Sequence, residues 1–492
     1  MEMRSCPFIH ERSAADVLVL PFWKQDGVAV AAFKDSAELE LTNPIIDLGD
    51  FKAKEAETTI IYSPDRLEPR VLLLGLGDRQ RCTQESLRRC FAEVVKALHA
   101  KKWTTVNVVE PMDLCMDEAT AVYTILEALM LTNYSFDYRR QQEKKPLIQS
   151  ATLITQTALF EQIKNQASAV AQSVNYAKDL VNGNADEITP KKLADEALAL
   201  DKNYSKIHAK IFDRSQFEKM GMGLFAAVAR CSAQEPYFIV LEYKGALSKE
   251  EKIALIGKGI TYDTGGLSLK TSSGMETMKC DMAGAAAVMG TIKAIADLEM
   301  PVNVVGLIPA TENSIGALSY KLGDVYTSYC KKSVEITNTD AEGRLALADS
   351  ISYALEEIKP SRIIDLATLT GAAGVALGDV RSPLFSNHEQ LASELYAAGE
   401  KTGERMWQMP LDEDYKEMLQ SKIADIKNYS GREGSLVFSA LFLQEFAKTT
   451  PWAHLDIAYT AYLAKPRHYH TTLATGYGVR LLVEYLRRHH AS

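Results

Sequence analysis

Short apolar runs, each followed by a polar turn and then a helical pattern, recur along this chain. Asp16-Val17-Leu18-Val19-Leu20-Pro21-Phe22 is the first strong run; it fits a buried strand and is too short to span a bilayer. Arg70-Val71-Leu72-Leu73-Leu74-Gly75-Leu76-Gly77 reads as a strand ending in a glycine turn. Gln84 to Lys101 reads as an amphipathic helix, and Thr105-Val106-Asn107-Val108-Val109 as another strand. A long helical pattern covers residues 159–180, and from Pro190 onward the alternation resumes. Ile253-Ala254-Leu255-Ile256-Gly257 has the continuous apolar character of a buried parallel strand, and a small-residue helix follows over 283–298. Val334-Glu335-Ile336-Thr337 leads like a strand into a polar turn, and Leu345-Ala346-Leu347-Ala348-Asp349 leads out like a helix. The pattern predicts an α/β protein of two domains. A smaller N-terminal α/β domain takes 1–157, a linker helix region 158–189, and a larger C-terminal α/β domain with a mostly parallel central sheet 190–492.

A length of 492 residues is too great for one ordinary core, which agrees with two domains. Hydrophobic residues at 47% and charged residues at 24% are normal for a soluble globular enzyme. The formal net charge of −9 argues against broad nucleic-acid binding. Only the basic stretch Tyr138-Arg139-Arg140-Gln141-Gln142-Glu143-Lys144-Lys145-Pro146 invites a DNA-binding or regulatory role, and an exposed loop is the simpler reading. Cysteines stand at 6, 82, 90, 115, 231, 280 and 330, an odd number without a CxxC pair, as in a reduced intracellular protein. The amino terminus has no apolar signal core and no stretch reaches membrane length, so a cytoplasmic protein is expected. No internal repeat or low-complexity tract is visible.

Two polar clusters carry the chemistry. The first follows the apolar run at 253–257 and offers Lys258, Asp263 and Lys270, with Asp281 after a polar link. The second is Asn338-Thr339-Asp340-Ala341-Glu342-Gly343-Arg344-Leu345, which packs two carboxylates and a guanidinium around a glycine. A glycine at such a place lets the backbone approach a ligand. Charged groups at strand ends sit where open α/β sheets place their chemistry. Four carboxylates in one pocket would repel one another, and two divalent cations would cancel them. Oxygen-rich ligation suits magnesium, manganese or zinc, and neither cluster holds a histidine. Lys258 is able to ligate only as a neutral amine, which nearby cations favour, and Lys270 suits stabilisation of an oxyanion. Taken singly, each carboxylate reads as a surface charge or helix cap, as do Asp349, Glu356 and Glu357, and Gly265-Gly266 reads as a turn. Lys258-Gly259 lacks the spacing of a phosphate loop. Taken jointly, the clusters point to a metal-dependent hydrolase.

Gly257-Lys258-Gly259-Ile260-Thr261-Tyr262-Asp263-Thr264-Gly265-Gly266-Leu267-Ser268-Leu269-Lys270 resembles the first signature of the leucyl (cytosol) aminopeptidase family, and Asn338 to Leu345 matches the second without a gap. Similarity continues through Met278 to Ala285, Asp365 to Ala372 and Gly476 to Leu482, with weaker echoes at Lys178 to Asn182 and Thr189-Pro190. The resemblance implies a metal-dependent aminopeptidase that releases N-terminal amino acids, leucine among them, with residues 190–492 as the peptidase domain and 1–157 serving oligomer or regulatory roles. It implies two divalent ions per subunit, manganese or zinc. Asp263 and Glu342 would bridge them, Lys258 and Asp281 would complete the tighter site, and Asp340 the more exchangeable one. Lys270 would polarise the substrate carbonyl, and Arg344 would hold a bicarbonate as general base. Met278, Thr368 and Gly371 would line the side-chain pocket or its approach, although Met278 also reads as core packing. The implied assembly is a homohexamer that encloses its active sites and takes small peptides with a free N-terminus.

On this reading a dication pair lowers the pKa of a shared water, and one ion takes the substrate's free α-amine. Arg344 is too basic to accept the proton itself, so a bound anion or a second water must do so. Three stretches depart from the family pattern. Asp456-Ile457-Ala458-Tyr459-Thr460-Ala461 has a tyrosine where glycine is usual, the stretch from Tyr462 to Thr472 is unusual in composition, and the usual glycine-alanine is replaced near Gly434-Ser435-Leu436-Val437. None of them removes a site residue, and Tyr459 is expected to narrow the side-chain pocket. A relative that has lost catalysis is disfavoured because all seven site residues are present, and a metal-dependent phosphatase is disfavoured by Lys258 and the signature match.

Overall fold

The strand Ile253–Gly257 is buried at every position, with Asn303–Asn313 on one side and Arg362–Ala367 on the other, both parallel to it. A strand covered on both faces needs a continuous apolar run, which is what its sequence supplies. The computed structural model describes residues 1–136, 147–246, 251–471 and 473–491; the basic stretch at 138–146 lies outside them.

Two compact units make up the chain, Met1–Gln172 with Lys465–Thr472, and Ser173–Ala464 with Leu473–Ser492. In the second unit a nine-stranded mixed sheet runs in the order Met406–Gln408, Ser382–Ser386, Trp452–Asp456, Arg362–Ala367, Ile253–Gly257, Asn303–Asn313, Tyr237–Lys244, Ile207–Phe212, with Gly259–Asp263 paired to Asn303–Asn313. Its centre is parallel, and antiparallel pairs lie toward both edges. Alternate residues of the central strands face opposite layers. Val305 and Leu307 join the core formed with Gly343–Tyr353 and Ser435–Ala447. Gly306 between them turns toward Val288 and Ile292 of the helix Ala283–Asp297. The small residues of that helix allow a close seat, because a β-carbon at Gly284 would lie 2.1 Å from Leu366 O.

The first unit is built on a seven-stranded sheet in the order Glu2–Cys6, Ser150–Ile154, Thr105–Val109, Val17–Gln25, Arg70–Asp78, Thr58–Tyr62, with Val28–Ala31 paired to Val17–Gln25. Val19, Leu72 and Leu74 pack under Gln84–Lys101 and Glu118–Thr132, while Leu18, Leu20 and Leu73 face the opposite core. The predicted amphipathic helix is present as Gln84–Lys101, closed at its start by a capping box between Thr83 and Ser86. Tyr469, from the compositionally unusual stretch, is buried in this unit and donates from its hydroxyl to Glu85 Oε2 at 3.2 Å. The predicted long helix is Phe160–Asn182. No helix among the described residues is long and apolar enough to cross a membrane.

Candidate active site

Lys258 leaves the end of the strand Ile253–Gly257 with its backbone held on both sides. Its N–H donates to Leu366 O at 3.0 Å, and its carbonyl accepts from Ala285 N at 2.9 Å. The side chain is buried, and its Nζ lies 2.9 and 2.8 Å from the two oxygens of Asp281, 2.8 Å from Glu342 Oε1 and 2.9 Å from Thr368 O. Asp281 lies in the short turn Met278–Met282 ahead of the helix Ala283–Asp297, and Thr368 Oγ1 donates to its Oδ1 at 2.8 Å. Glu342 immediately precedes the helix Gly343–Tyr353.

Asp263 ends the strand Gly259–Asp263 and is buried. Its Oδ1 accepts from Gly265 N and from Asn313 Nδ2, both at 2.8 Å, and its Oδ2 lies 2.9 Å from Lys270 Nζ. Lys270 also pairs with Asp340 Oδ1 at 2.5 Å; the Asp340 side chain is one third exposed. Two contacts fasten the two signature loops together. Ser268 N donates to Thr339 Oγ1 at 2.7 Å, and that hydroxyl donates to Gly265 O at 2.7 Å. Lys258 with Asp281 and Glu342, and Lys270 with Asp263 and Asp340, form two ion-paired sets that meet where Asp263, Asp340 and Glu342 bring their oxygens within 4.8 Å of one another.

Arg344, the second residue of its helix, is buried, donates to Asn428 O at 2.8 Å and lies over the Phe438 ring. Burial lowers its pKa to about 10, leaving it charged at neutral pH. Its Nε is buried without a hydrogen-bond partner among the described residues. Of the expected pocket residues, Thr368 is buried against Asp281, Met278 is only partly buried, and Gly371 is exposed. A β-carbon at Gly371 would meet nothing within 4 Å.

The charges of the cluster oppose one another. Burial alone would lower the pKa of Lys258 and Lys270, yet the surrounding carboxylates hold both above the ordinary lysine value. Burial and mutual repulsion raise Asp263 and Asp281, and push Asp340 up to about 6. Glu342 is also penalised by burial, but Lys258 and Lys270 bring it below its usual value. Two ammonium groups leave two of the four carboxylates uncompensated. Asp263, Asp340 and Glu342 each place an oxygen within 4.8 Å of the others, and Glu342 Oε2 is buried without a hydrogen-bond partner among the described residues. Convergent buried oxygens with excess negative charge form a donor set that suits divalent cations.

One expectation changes, and another resolves. The strand leading to Asp340 is only Ser333–Glu335 and belongs to a separate three-stranded sheet with Val325–Thr327 and Ile426–Lys427. The second cluster is therefore carried by a loop braced from outside the main sheet. Asn428 supplies the brace, accepting from Thr337 N at 2.8 Å and donating to Asn338 O at 2.7 Å. Asp349, read as a surface charge or a helix cap, is a cap. It is fully buried and accepts from Leu224 N, Phe225 N and Tyr329 N, which caps the helix Gly223–Ala229. Glu356 and Glu357 are exposed, as expected of surface charges. Cys280 is buried, which pushes its thiol up to about 12 and suits packing rather than reactivity.

Sequence reasoning missed Asn313 and Asn428. Asn313 ends the long strand Asn303–Asn313 and donates to both Asp263 Oδ1 and Thr339 O, the latter at 3.0 Å. A polar residue closing an apolar strand was the available signal, the same one that marks Asp263.

Comparison with known proteins identifies the family. Residues 175–483 match the model of the cytosol aminopeptidase family catalytic domain, and residues 19–143 match its N-terminal domain. A probable cytosol aminopeptidase of Protochlamydia amoebophila is 46% identical, covering 99% of both chains. One from Chlamydia abortus is 43% identical over 97% of both. Among solved structures, a tomato leucine aminopeptidase mutant superimposes with a TM-score of 0.87 at 31% identity, covering 99% of this chain and 96% of that one. The bottromycin maturation enzyme BotP in complex with Mn gives 0.86 at 31% identity, covering 96% and 99%. The chain belongs to the cytosol aminopeptidase family.

Proposed function

We propose that this chain releases N-terminal amino acids from peptides, with two divalent cations, manganese or zinc, held by Lys258, Asp263, Asp281, Asp340 and Glu342. The observation that carries the reading is the excess of buried carboxylate around Lys258 and Lys270, with Glu342 Oε2 left without a hydrogen-bond partner among the described residues. Asp263 and Glu342 would be the shared ligands, since each feels the charge of both Lys258 and Lys270 and the two place oxygens within 4.8 Å of each other. When bound, the cations supply an acidified water as nucleophile and a Lewis acid for the amide carbonyl.

The protein's own groups do the rest. Lys258 pairs with Asp281 and Glu342 as an ammonium and must give up its proton to act as a ligand. Lys270 stays charged and directs its ammonium at the oxygen that becomes negative as the carbonyl is attacked. Arg344 presents a charged, partly unpartnered guanidinium beside the second loop and would hold bicarbonate, which accepts the proton that arginine itself is unable to take. Recognition of a free α-amine confines cleavage to the first residue, whose side chain, leucine among others, would take the open space beside Thr368 and Gly371. A cytoplasmic homohexamer is the assembly that accompanies this reading.

The test is hydrolysis of leucine p-nitroanilide and of its N-acetylated form, after chelation and after return of manganese or zinc. Cleavage of the free amine alone, lost on chelation and restored by metal, is expected. Equal cleavage of the acetylated compound, or indifference to chelation, would defeat the reading.

A further inference from the structure

Tyr459 rests its ring on Gly374. A β-carbon at Gly374 would lie 2.5 Å from Cε2 and Cζ of the ring and 2.6 Å from Cδ2. The side chain is otherwise open, with Tyr459 44% exposed, and its hydroxyl makes no hydrogen bond among the described residues. A half-exposed aromatic ring with an unused polar tip is well suited to contact a ligand.

Its position is fixed by Asp456, the last residue of the strand Trp452–Asp456. Asp456 is buried, and its Oδ1 accepts from Ala458 N at 3.2 Å and from Leu369 N at 3.1 Å, while its Oδ2 accepts from Thr370 Oγ1 at 2.6 Å. Ile457 N adds a bond to Ala367 O at 2.8 Å. One carboxylate thus binds the turn that carries Tyr459 to the turn Thr368–Gly371. That second turn reaches the carboxylate cluster directly, since Thr368 O accepts from Lys258 Nζ and Thr368 Oγ1 donates to Asp281. Space is open beside Gly371, and the helix Ala372–Leu377 that starts there carries Gly374 and the Tyr459 ring. Asp281 and Thr368 therefore stand at one end of this wall and Tyr459 at the other.

We infer that Tyr459, seated on Gly374, is a specificity-determining residue that bounds the space for the substrate's first side chain and favours compact aliphatic residues over aromatic ones. The inference rests on the aminopeptidase reading above. Gly374 belongs to the device because any β-carbon there would lift the ring from its seat. The ring is the half-exposed end of a flexible side chain, so it has room to move without unfolding the helix.

The test is the ratio of kcat/KM for phenylalanine against leucine p-nitroanilide, in metal-loaded Y459G, Y459F, G374A and the double variant Y459G/G374A. Y459G should raise the phenylalanine-to-leucine ratio about tenfold, the scale on which a change in pocket volume alters selectivity. Y459F keeps the ring and should keep the wild-type ratio. G374A should shift the ratio when Tyr459 is present, and should add nothing in the Y459G background. An unchanged ratio in an active Y459G would overturn the inference, as would a G374A effect of equal size in both backgrounds. If Y459G fails to fold, G374A compared with Y459F/G374A decides, because the ring clash predicts the same shift in both, and unshifted ratios would overturn the inference. Failure of the wild type to cleave either free amine would instead remove the underlying reading.

Discussion

Gly343 and Lys258 compete for one space, since a β-carbon at Gly343 would lie 2.5 Å from Lys258 Cε and 2.8 Å from its Nζ. The glycine between Glu342 and Arg344 is thus required by a side chain of the other cluster. Lys258 has no room to retreat, because Asp281, Glu342 and Thr368 O hold its ammonium. G343A should cost about 1–3 kcal/mol of stability by overpacking. It should also lower kcat/KM on leucine p-nitroanilide by about a hundredfold, the usual effect of displacing a catalytic constellation by an ångström. Thermal melting and steady-state kinetics measure both, and wild-type kinetics in G343A would show that the Lys258 position is not critical.

Much of this arrangement is legible in the sequence because it follows strong local signals. The run at 253–257 is apolar throughout, as its burial on two faces demands, and the polar residues after it are the ones found in the cluster. The small-residue helix was readable for a comparable reason, since its glycine and alanines permit the close approach to Leu366. What escaped depends on partners distant in sequence. Asn428 braces the loop at 337–341 from 90 residues away, and the helix that Asp349 caps begins 125 residues earlier, so neither partner is marked by a local pattern. The same distance explains the Ser333–Glu335 strand, whose membership of a side sheet depends on Ile426–Lys427.

Asn313 should tune metal affinity without touching metal. Its amide fixes one oxygen of Asp263 and also holds Thr339 O, so it orients a ligand and the loop beside it together. N313A should weaken manganese binding about 10–100-fold, the range found for lost partners of metal ligands. N313D should be worse, because it sets a carboxylate against Asp263. Calorimetric titration of the chelated protein with manganese reads both, and affinity equal to wild type in N313A would refute the orienting role.

Metal uptake should depend steeply on pH. Asp340 titrates at about 6 in the folded metal-free protein, above its ordinary 3.8, so its negative charge destabilises that state. A raised carboxylate pKa means that the folded state binds the proton more tightly than the unfolded one. Stability is therefore lost as pH rises from about 3.8 to about 6, and the deficit persists above that range. A divalent cation removes the deficit and displaces the proton, so binding should tighten by about tenfold per pH unit for each proton released between pH 5 and 6. The rise in melting temperature on adding manganese should be small at pH 5 and large at pH 7.5. A metal-induced shift independent of pH would contradict this account.

Lys270 separates catalysis from metal binding. Its ammonium lies 2.9 Å from Asp263 Oδ2 and 2.5 Å from Asp340 Oδ1, where it offsets negative charge that a metal would also offset. Removing it leaves the carboxylates more negative, so K270M should bind manganese more tightly than the wild type. On the proposed mechanism the same change also removes the donor to the developing oxyanion, and kcat should fall about 10²–10³-fold, the usual effect of losing one such donor. K258M should behave oppositely in the first respect, losing affinity because the proposed ligand is gone as well as a charge. Parallel manganese titrations and kcat measurements on the two variants distinguish these roles. Weakened binding in K270M would mean that Lys270 positions Asp263 and Asp340 for the metal more than it opposes the metal's charge.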